Sequence, residues 1–377
     1  MEKKKISIFA LHLGFGGIEK ATSTLANILC EEHDVEIVSI YKVYEKPAFY
    51  INDKVKIKYL TELIPNKKEF LEALEKMHLI KAFKEGMTAT KVLITKHSKL
   101  IKAIKECDSD IIISTRCTFN KIIGKYKKDK ILIAWEHMHH NNKQWYINKL
   151  KNSLENFNYL VPVSKALAEY YSNIVDVKCV NIPLCIDKIP EENSSLDRYQ
   201  ITYVGRLAQE KGLLDLLQIC EIANRINQHI ILNVVGDGIQ RTSIEQHIRQ
   251  FKLEEIVKMH GYLNKEETEK VLLNTGIFAI TSFYESFGLV LIEAMSYGIP
   301  CVAFDSAEGA KEIIDDGVNG YLIPNRDKSE MLAKIIELHE NYDLRSKMGE
   351  AAKEKAKQFS YENTKKKWLE FIEKLGG

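Results

Sequence analysis

The sequence predicts an α/β protein built from two doubly wound, parallel-sheet domains. Apolar, β-branched runs alternate with helical patterns, and the runs are continuously apolar, as in parallel strands covered on both faces. After a polar stretch near residues 188–198 the alternation starts again, and 377 residues suit two domains. We therefore predict Rossmann-like domains over 1–187 and 198–357, facing each other across a cleft, with a last helix (about 358–377) that can return to the first.

The predicted strands are short runs that end in loops. In the first half they are Ile6–Leu13, Val35–Tyr41, Val55–Tyr59, Asp110–Thr115, Ile131–Glu136 and Tyr159–Ser164, with helices such as Ile18–Cys30 and Lys165–Tyr171 between them. In the second half the strands are Gln200–Gly205, Ile230–Gly236, Val257–Gly261, Ile277–Thr281, Cys301–Asp305 and Tyr321–Ile323. The helices there are Leu213–Asn227, Ile239–Phe251, Lys265–Leu273 and Gly288–Tyr297, and the segments Asp327–His339 and Asp343–Leu375 at the end of the chain are helical and amphipathic.

Composition favours a cytoplasmic globular protein. Hydrophobic residues make up 45% and charged residues 28%, and no apolar run reaches the roughly 20 residues of a membrane span. The apolar run after the basic N-terminus is short and ends in glycines, which indicates a strand rather than a signal peptide. Seven cysteines without a Cys-x-x-Cys pair argue against a disulfide framework and a structural zinc site.

The charge is unevenly distributed. Residues 1–187 contain 30 Lys and Arg against 22 Asp and Glu, and the remainder contains 24 against 30. Residues 64–106 alone contain ten Lys and five Glu, with apolar residues at helical spacing (Phe70, Leu71, Leu74, Met77, Ile80 and Phe83). This segment fits a basic amphipathic surface on an anionic membrane, and equally a pair of ordinary solvated helices.

The segment from Thr281 to Pro300 carries the clearest functional pattern. A strand ends, a loop carries Glu285, and a helix begins near Gly288, where free N–H groups and the helix dipole favour a phosphate. Glu293 lies in that helix, and if residues 287–293 are helical it is offset from Glu285 by roughly 9 Å along the helix axis. The two carboxylates suit opposite ends of an extended ligand, although Glu293 alone also fits a solvated helix face.

Two cations follow the first strand of the second half. Arg206 and Lys211 occupy one strand-to-helix loop, where a guanidinium fork and an ammonium can hold a diphosphate. Taken alone, they also fit a pair of solvated loop cations. Gly236 ends the next strand in a tight turn that could lie beside a ligand.

The glycines after the first strand do not form a dinucleotide fingerprint. Gly14, Gly16 and Gly17 are followed by Glu19 where Gly-x-Gly-x-x-Gly needs its last glycine, which disfavours a nicotinamide-dependent dehydrogenase.

Three histidines follow the fifth strand. His137, His139 and His140 lack the i, i+4 spacing of a helical zinc pair, so no metal site is predicted.

The motif Glu285-x7-Glu293 resembles the donor-site motif of family 4 retaining glycosyltransferases, which have the GT-B fold. The resemblance extends along nearly the whole chain and is sharpest over residues 200–325. It implies that Glu285 contacts the donor sugar and that Glu293 holds the ribose hydroxyls. It also implies phosphate binding by the amides of Phe287, Gly288 and Leu289, and a diphosphate clamp formed by Arg206 and Lys211.

The same resemblance assigns roles in the first half. It implies that Gly16 and Gly17 close over the donor phosphates and that His137 points towards the donor sugar, and it leaves His139 and His140 open. Tyr262 is expected against the nucleobase, although it also fits a core aromatic.

The resemblance further implies transfer of a hexose or N-acetylhexosamine, with retention, from a nucleotide-diphosphate sugar, expected to be a UDP-sugar. The expected acceptor is a glycan, lipid-linked, in surface-polysaccharide or glycolipid assembly, with no metal or other cofactor and no nucleic acid. A nucleotide-sugar epimerase on the same architecture and a non-enzymatic sugar-nucleotide-binding protein are the alternatives.

Overall fold

The structure is a computed structural model that describes residues 2–64, 78–197 and 200–375; for residues 79–82 it describes the backbone only. The chain divides into two compact units. The first contains the described residues of Met1–Val163, Ala168–Ile182 and Lys365–Gly377, and the second those of Ser164–Leu167 and Pro183–Thr364. The predicted boundary at 188–198 therefore lies inside the second unit.

The first unit is built on a seven-stranded parallel sheet with the order β3-β2-β1-β4-β5-β6-β7. Its central strands have buried, continuously apolar side chains, which confirms the prediction of a parallel sheet covered on both faces. The strands are β1 (Lys5–His12), β2 (Asp34–Tyr41), β3 (Lys56–Thr61), β4 (Ile111–Ser114), β5 (Ile131–Glu136), β6 (Tyr159–Pro162) and β7 (Lys178–Cys179). The two-residue strand β7 was not predicted, because so short a pairing leaves no apolar run in the sequence.

Helices connect these strands, as parallel pairing requires. They are α1 (Gly17–Leu29), α2 (Leu79–Glu106), α3 (Cys117–Tyr126), α4 (Gln144–Ser153) and α5 (Lys165–Ser172). The predicted apolar positions Phe70, Leu71, Leu74 and Met77 lie outside the described residues, as does the side chain of Ile80.

The second unit has a six-stranded parallel sheet with the order β10-β9-β8-β11-β12-β13. Its core comprises the fully buried faces of the central strands, for example Ile201, Val234 and Phe304. The strands are β8 (Gln200–Val204), β9 (Ile231–Val235), β10 (Val257–Gly261), β11 (Ile277–Ile280), β12 (Cys301–Phe304) and β13 (Gly320–Ile323).

The helices of the second half are α6 (Leu213–Arg225), α7 (Arg241–Gln250), α8 (Lys265–Leu272), α9 (Leu289–Ser296), α10 (Glu308–Ile313), α11 (Lys328–Glu340), α12 (Tyr342–Lys357) and α13 (Tyr361–Lys374). Within the described residues, no helix combines the length and apolar composition needed to cross a membrane.

The predicted helical segment Asp343–Leu375 consists of two helices, α12 and α13, and the second begins at Tyr361, close to the start near residue 358 that was predicted for the last helix. At the break Phe359 is buried, and its carbonyl accepts a hydrogen bond from the Ile186 N–H at 3.1 Å. In a continuous helix the Phe359 carbonyl would instead accept a hydrogen bond from a backbone N–H of the next helical turn. The tertiary contact therefore overrides the helical propensity of the segment.

The C-terminal part of α13 belongs to the first unit. Trp368 is 1% exposed and meets the Trp135 ring edge-on, with 5.4 Å between ring centroids. Phe371 packs in the same way against Tyr159, at 5.2 Å. These aromatic contacts hold the end of the chain to β5 and β6.

Candidate functional site

The loops that follow the strands of the second sheet all leave the same edge, because the strands are parallel. The loops after β8, β9, β10 and β11 begin at Gly205, Gly236, Tyr262 and Thr281. They contain most of the residues that the sequence assigns to the donor.

Lys211 and Glu285 meet at this edge although they lie 74 residues apart in sequence. Lys211 Nζ lies 2.6 Å from Glu285 Oε2, and the side chains are 24% and 17% exposed. The sequence assigned these two residues separately to a diphosphate and a sugar and did not predict their pairing. An ammonium has three N–H donors, so Lys211 can hold Glu285 and still donate to a phosphate oxygen.

A tight backbone contact produces this pairing. The Thr281 hydroxyl donates to the Gly212 carbonyl at 2.9 Å, and the Phe283 N–H donates to the Glu210 carbonyl at 2.9 Å. Gly212 has φ +63°, and a Cβ there would lie 2.1 Å from the Thr281 carbonyl oxygen. Only glycine fits at this position, and it brings the Lys211 loop against the Glu285 loop.

Arg326 anchors the Glu285 loop and was missed by the sequence analysis. It donates to the carbonyls of Thr281 and Ser282 at 2.8 and 3.1 Å, forms an ion pair with Asp215, and stacks 3.7 Å above the Phe283 ring. A planar guanidinium can make these contacts together, whereas lysine cannot. Its position shortly after β13 was the available signal, since functional residues in such sheets follow strands.

The N-terminus of α9 follows this loop. Gly288 is the N-cap residue with φ +98°, and no side chain caps the helix. The free N–H groups of the first turn, including that of Leu289, are therefore arranged to receive an anion. The Phe287 side chain is 2% exposed and packs against Phe359, so Phe287 can offer a ligand only its backbone.

Glu293 is half-buried on α9, one turn beyond Leu289. Burial raises the pKa of the Tyr297 hydroxyl, and the carboxylates of Glu269 and Glu293 raise it further. Glu293 therefore lies close enough to Tyr297 to influence its ionisation.

The loops after β8 and β9 are also in backbone contact. A Cβ on Gly236 would lie 1.9 Å from the Gly205 carbonyl oxygen, so this glycine is required by close approach. Arg206 is paired with Glu210, with Nη2 2.5 Å from Oε1, and its side chain is 68% exposed. Tyr262 follows β10 and is largely exposed, which contradicts the alternative of a core aromatic.

The three histidines that follow β5, His137, His139 and His140, lie in the first unit. His137 is buried against Trp135, with 4.2 Å between ring centroids, and its Nε2 has no partner among the described residues. Burial, and then the charge of Arg116, lower its pKa to about 3, so the ring is neutral at physiological pH. The rings of His139 and His140 stack on each other, and His140 also stacks on Tyr170.

Gly16 and Gly17 begin α1. Gly16 has φ +154°, and a Cβ there would lie 2.2 Å from Glu19 Oε2, whereas a Cβ on Gly17 would meet no atom within 4 Å. Gly16 therefore has a structural role in accommodating Glu19.

Glu136 is a second residue that the sequence analysis missed. It is buried at the end of β5, and its Oε1 accepts hydrogen bonds from the Met138 N–H at 2.7 Å and the Tyr146 hydroxyl at 3.0 Å. Burial raises its pKa from 4.5 to about 7. No sequence signal distinguishes it from any other carboxylate at a strand end, because the shift comes from packing.

Comparison with known proteins identifies the second unit. The family described as glycosyl transferases group 1 matches residues 186–355. A Campylobacter jejuni protein named GalNAc-alpha-(1->4)-GalNAc-alpha-(1->3)-diNAcBac-PP-undecaprenol alpha-1,4-N-acetyl-D-galactosaminyltransferase is 26% identical over 98% of this chain and 98% of its own length.

A Streptomyces coelicolor exopolysaccharide phosphotransferase is 25% identical over 96% of this chain, which spans 39% of that longer relative. Among solved structures, a mutant of Staphylococcus aureus TarM in complex with fondaparinux, alpha-GlcNAc-glycerol and UDP has a TM-score of 0.76 at 16% identity. The match covers 98% of this chain and 99% of that one, and it shows the shared fold. Residues 186–355 therefore form a group 1 glycosyl transferase domain, and the chain is a glycosyltransferase with two parallel-sheet domains of the GT-B type.

Proposed function

We propose that the chain transfers a hexose or N-acetylhexosamine, with retention of configuration, from a UDP-sugar to a hydroxyl of a lipid-linked glycan acceptor. The observation that carries the proposal is the Lys211–Glu285 pair at 2.6 Å on the strand edge from which α9 also begins. It provides a cation for a diphosphate and a carboxylate for sugar hydroxyls. The free amides of α9 add a site for a phosphate.

The names of the similar proteins support the acceptor class. The Campylobacter relative is named for transfer of N-acetylgalactosamine to a glycan on undecaprenyl diphosphate, and the TarM structure contains UDP. We infer by analogy a place in bacterial surface-polysaccharide or glycolipid assembly, in the cytoplasm at the inner face of the membrane.

In the proposed reaction the leaving group is the nucleoside diphosphate. Arg206, Lys211 and the start of α9 stabilise its negative charge, and the acceptor hydroxyl attacks from the same face of the sugar. This arrangement supplies positive charge from the chain itself, so the proposal requires no metal or other cofactor. The neutral His137 ring can accept or donate one hydrogen bond, consistent with the contact to the donor sugar that the resemblance implies.

A nucleotide screen tests the donor assignment. We expect UDP to raise the melting temperature more than GDP or ADP at equal concentration, because only a bound nucleotide stabilises the folded state. Glu293→Gln should weaken UDP binding by about 10-fold, on the scale of one charge-assisted hydrogen bond to the ribose. Isothermal titration measures this loss.

Glu266→Gln is the matched control for that titration, because Glu266 is an exposed carboxylate on α8. It should bind UDP as the wild type does. Stabilisation by GDP alone would overturn the choice of nucleotide, and equal UDP affinity in Glu293→Gln and wild type would overturn the role of Glu293.

We further propose that α2 rests on an anionic membrane. Phe83, Met87 and Ile94 share one face of this helix, and each is more than 60% exposed. Lys84 and Lys91 are exposed beside them. An apolar stripe flanked by lysines is the pattern of a helix that lies in a membrane interface.

A flotation assay tests this surface. We expect the protein to float with phosphatidylglycerol vesicles at low salt and to sink with phosphatidylcholine vesicles, because lysines contribute only on anionic lipid. The double variant Phe83→Ser/Ile94→Ser should lose most of the floated fraction. Ile239→Ser, which removes an apolar side chain 92% exposed in the second half of the chain, serves as the control. Wild-type protein that stays at the bottom of the gradient with anionic vesicles would contradict the proposal.

A further inference from the structure

A cluster of polar and charged residues lies at the carboxyl edge of the first sheet. His12 ends β1, Tyr41 ends β2 in register with it, and Arg116 follows β4, which pairs with β1 on its other side. Since these strands are parallel neighbours, the three residues occupy one edge, where ligands of open α/β sheets bind.

One buried carboxylate organises this edge. Arg116 Nη2 lies 2.9 Å from Glu19 Oε1, and His12 Nε2 lies 3.6 Å from the same oxygen. The Glu19 side chain is only 7% exposed, and Gly16 leaves room for its other oxygen. The Arg116 guanidinium is therefore fixed in orientation, and its Nε–H is buried without a partner among the described residues. Such an orphaned donor is costly unless a ligand or water accepts it.

Lys96 brings a second cation to this edge. Its ammonium lies 6.0 Å from the ring centroids of Tyr41 and Phe119, and the side chain is half-buried. Within the part of the chain that the structure describes, Lys96 makes no ion pair. Burial lowers its pKa, and the charge of Arg116 lowers it further, so the free protein holds this cation in an unfavourable place.

Arg116 is thus paired with Glu19, and Lys96 lies near enough to Arg116 for that charge to lower its pKa, so a second cation joins the pair in a half-buried setting. We propose that Arg116 and Lys96 bind the phosphate group of the acceptor substrate. An oriented guanidinium and a mobile ammonium together suit a phosphate, which accepts several charge-assisted hydrogen bonds. The inference rests on the proposed transferase function, in which Arg206 and Lys211 of the other unit already serve the donor diphosphate.

Binding of farnesyl diphosphate, a water-soluble prenyl diphosphate, tests the inference by titration calorimetry. We expect wild-type protein to bind it and to show no binding of uncharged farnesol. Lys96→Met should weaken farnesyl diphosphate binding by about 10-fold or more, on the scale of a lost charge-assisted contact. Lys96→Arg should retain binding within about 3-fold, since it keeps the charge and a donor.

Three controls separate the proposed phosphate site from its alternatives. Lys99→Met removes an exposed lysine from the same helix, outside the proposed membrane surface, and should bind farnesyl diphosphate normally. UDP affinity should be equal in wild type and Lys96→Met, because the donor site lies on other residues. Inorganic pyrophosphate should compete with farnesyl diphosphate in wild type, which shows that the diphosphate and not the prenyl chain is recognised.

The melting temperature completes the test. Because the half-buried ammonium is in an unfavourable environment, Lys96→Met should be at least as stable as wild type, so weaker binding would not reflect unfolding. Unchanged farnesyl diphosphate binding in Lys96→Met would overturn the inference. If Lys96→Met lost UDP binding to the same extent as farnesyl diphosphate binding, the inference would also be overturned, because the two cations would then belong to the donor site. If the wild-type protein did not bind UDP at all, that result would instead contradict the proposed function.

Discussion

Lys211→Met and Glu285→Gln are each expected to lower turnover by about 100-fold or more, the scale of losing one preorganised electrostatic contact in a transition state. In the proposed reaction, the Lys211 variant loses the charge that stabilises the departing diphosphate, and the Glu285 variant loses the carboxylate that contacts the sugar hydroxyls. Both side chains are mostly buried and meet at 2.6 Å. A water molecule that filled the space of either missing group would not be held in the same orientation, so it would not restore the lost contact. Steady-state kinetics with saturating donor measures the effect.

The double variant distinguishes catalysis from structure. If the ion pair only held two loops together, each single change would lower the melting temperature and the double variant would recover it. We expect the double variant to fold normally and to remain as inactive as the worse single variant. Turnover near the wild-type value in either single variant would contradict the assignment.

Lys265→Met is the matched control, because it breaks the exposed ion pair with Asp187 in the same unit, at 2.8 Å. Exposed pairs of this kind contribute about 0–1 kcal/mol, so activity and stability should both be retained.

Glu136→Gln is expected to stabilise the protein at alkaline pH. Burial raises the pKa of Glu136 from 4.5 to about 7, so between these values the folded protein keeps a proton that the unfolded chain releases. Folding stability therefore falls as pH rises through this window, by roughly 3 kcal/mol in all, and the loss is complete above pH 7. Glutamine keeps an oxygen to accept from Tyr146 and Met138 and carries no charge.

Chemical denaturation at pH 5 and pH 8 measures this effect. The variant and the wild type should differ little at pH 5, where most of the cost has not yet appeared, and by roughly 2–3 kcal/mol at pH 8. Glu155→Gln removes an exposed carboxylate from the same unit and should not change the pH dependence. A Glu136→Gln variant that is less stable than wild type at pH 8 would show that the ionised carboxylate is favourable where it lies.

The two-domain α/β architecture could be predicted from the sequence because the patterns that indicate its strands lie within short segments. Continuously apolar runs such as Ile111–Ser114 have few alternatives to a doubly covered parallel strand, and the observed strands agree with the predicted ones to within about two residues. The start of a last helix near residue 358 was predicted, but the hydrogen bond from the Ile186 N–H to the Phe359 carbonyl at this break was not, because the two residues are far apart in sequence.

The candidate site likewise has features that the sequence predicted and features that only the folded structure shows. The spacing of Glu285 and Glu293 around the start of α9, and the two cations after β8, are properties of short segments. The sequence by itself therefore determined that a helix start, two carboxylates and two cations follow strands of one sheet, and it predicted phosphate binding there. The pairing of Lys211 with Glu285, the anchoring by Arg326 and the shifted proton of Glu136 were decided by the tertiary structure alone. The physical reason is that charge pairing and desolvation depend on distances between atoms of distant segments, and parallel strand register fixes those distances only once the chain has folded.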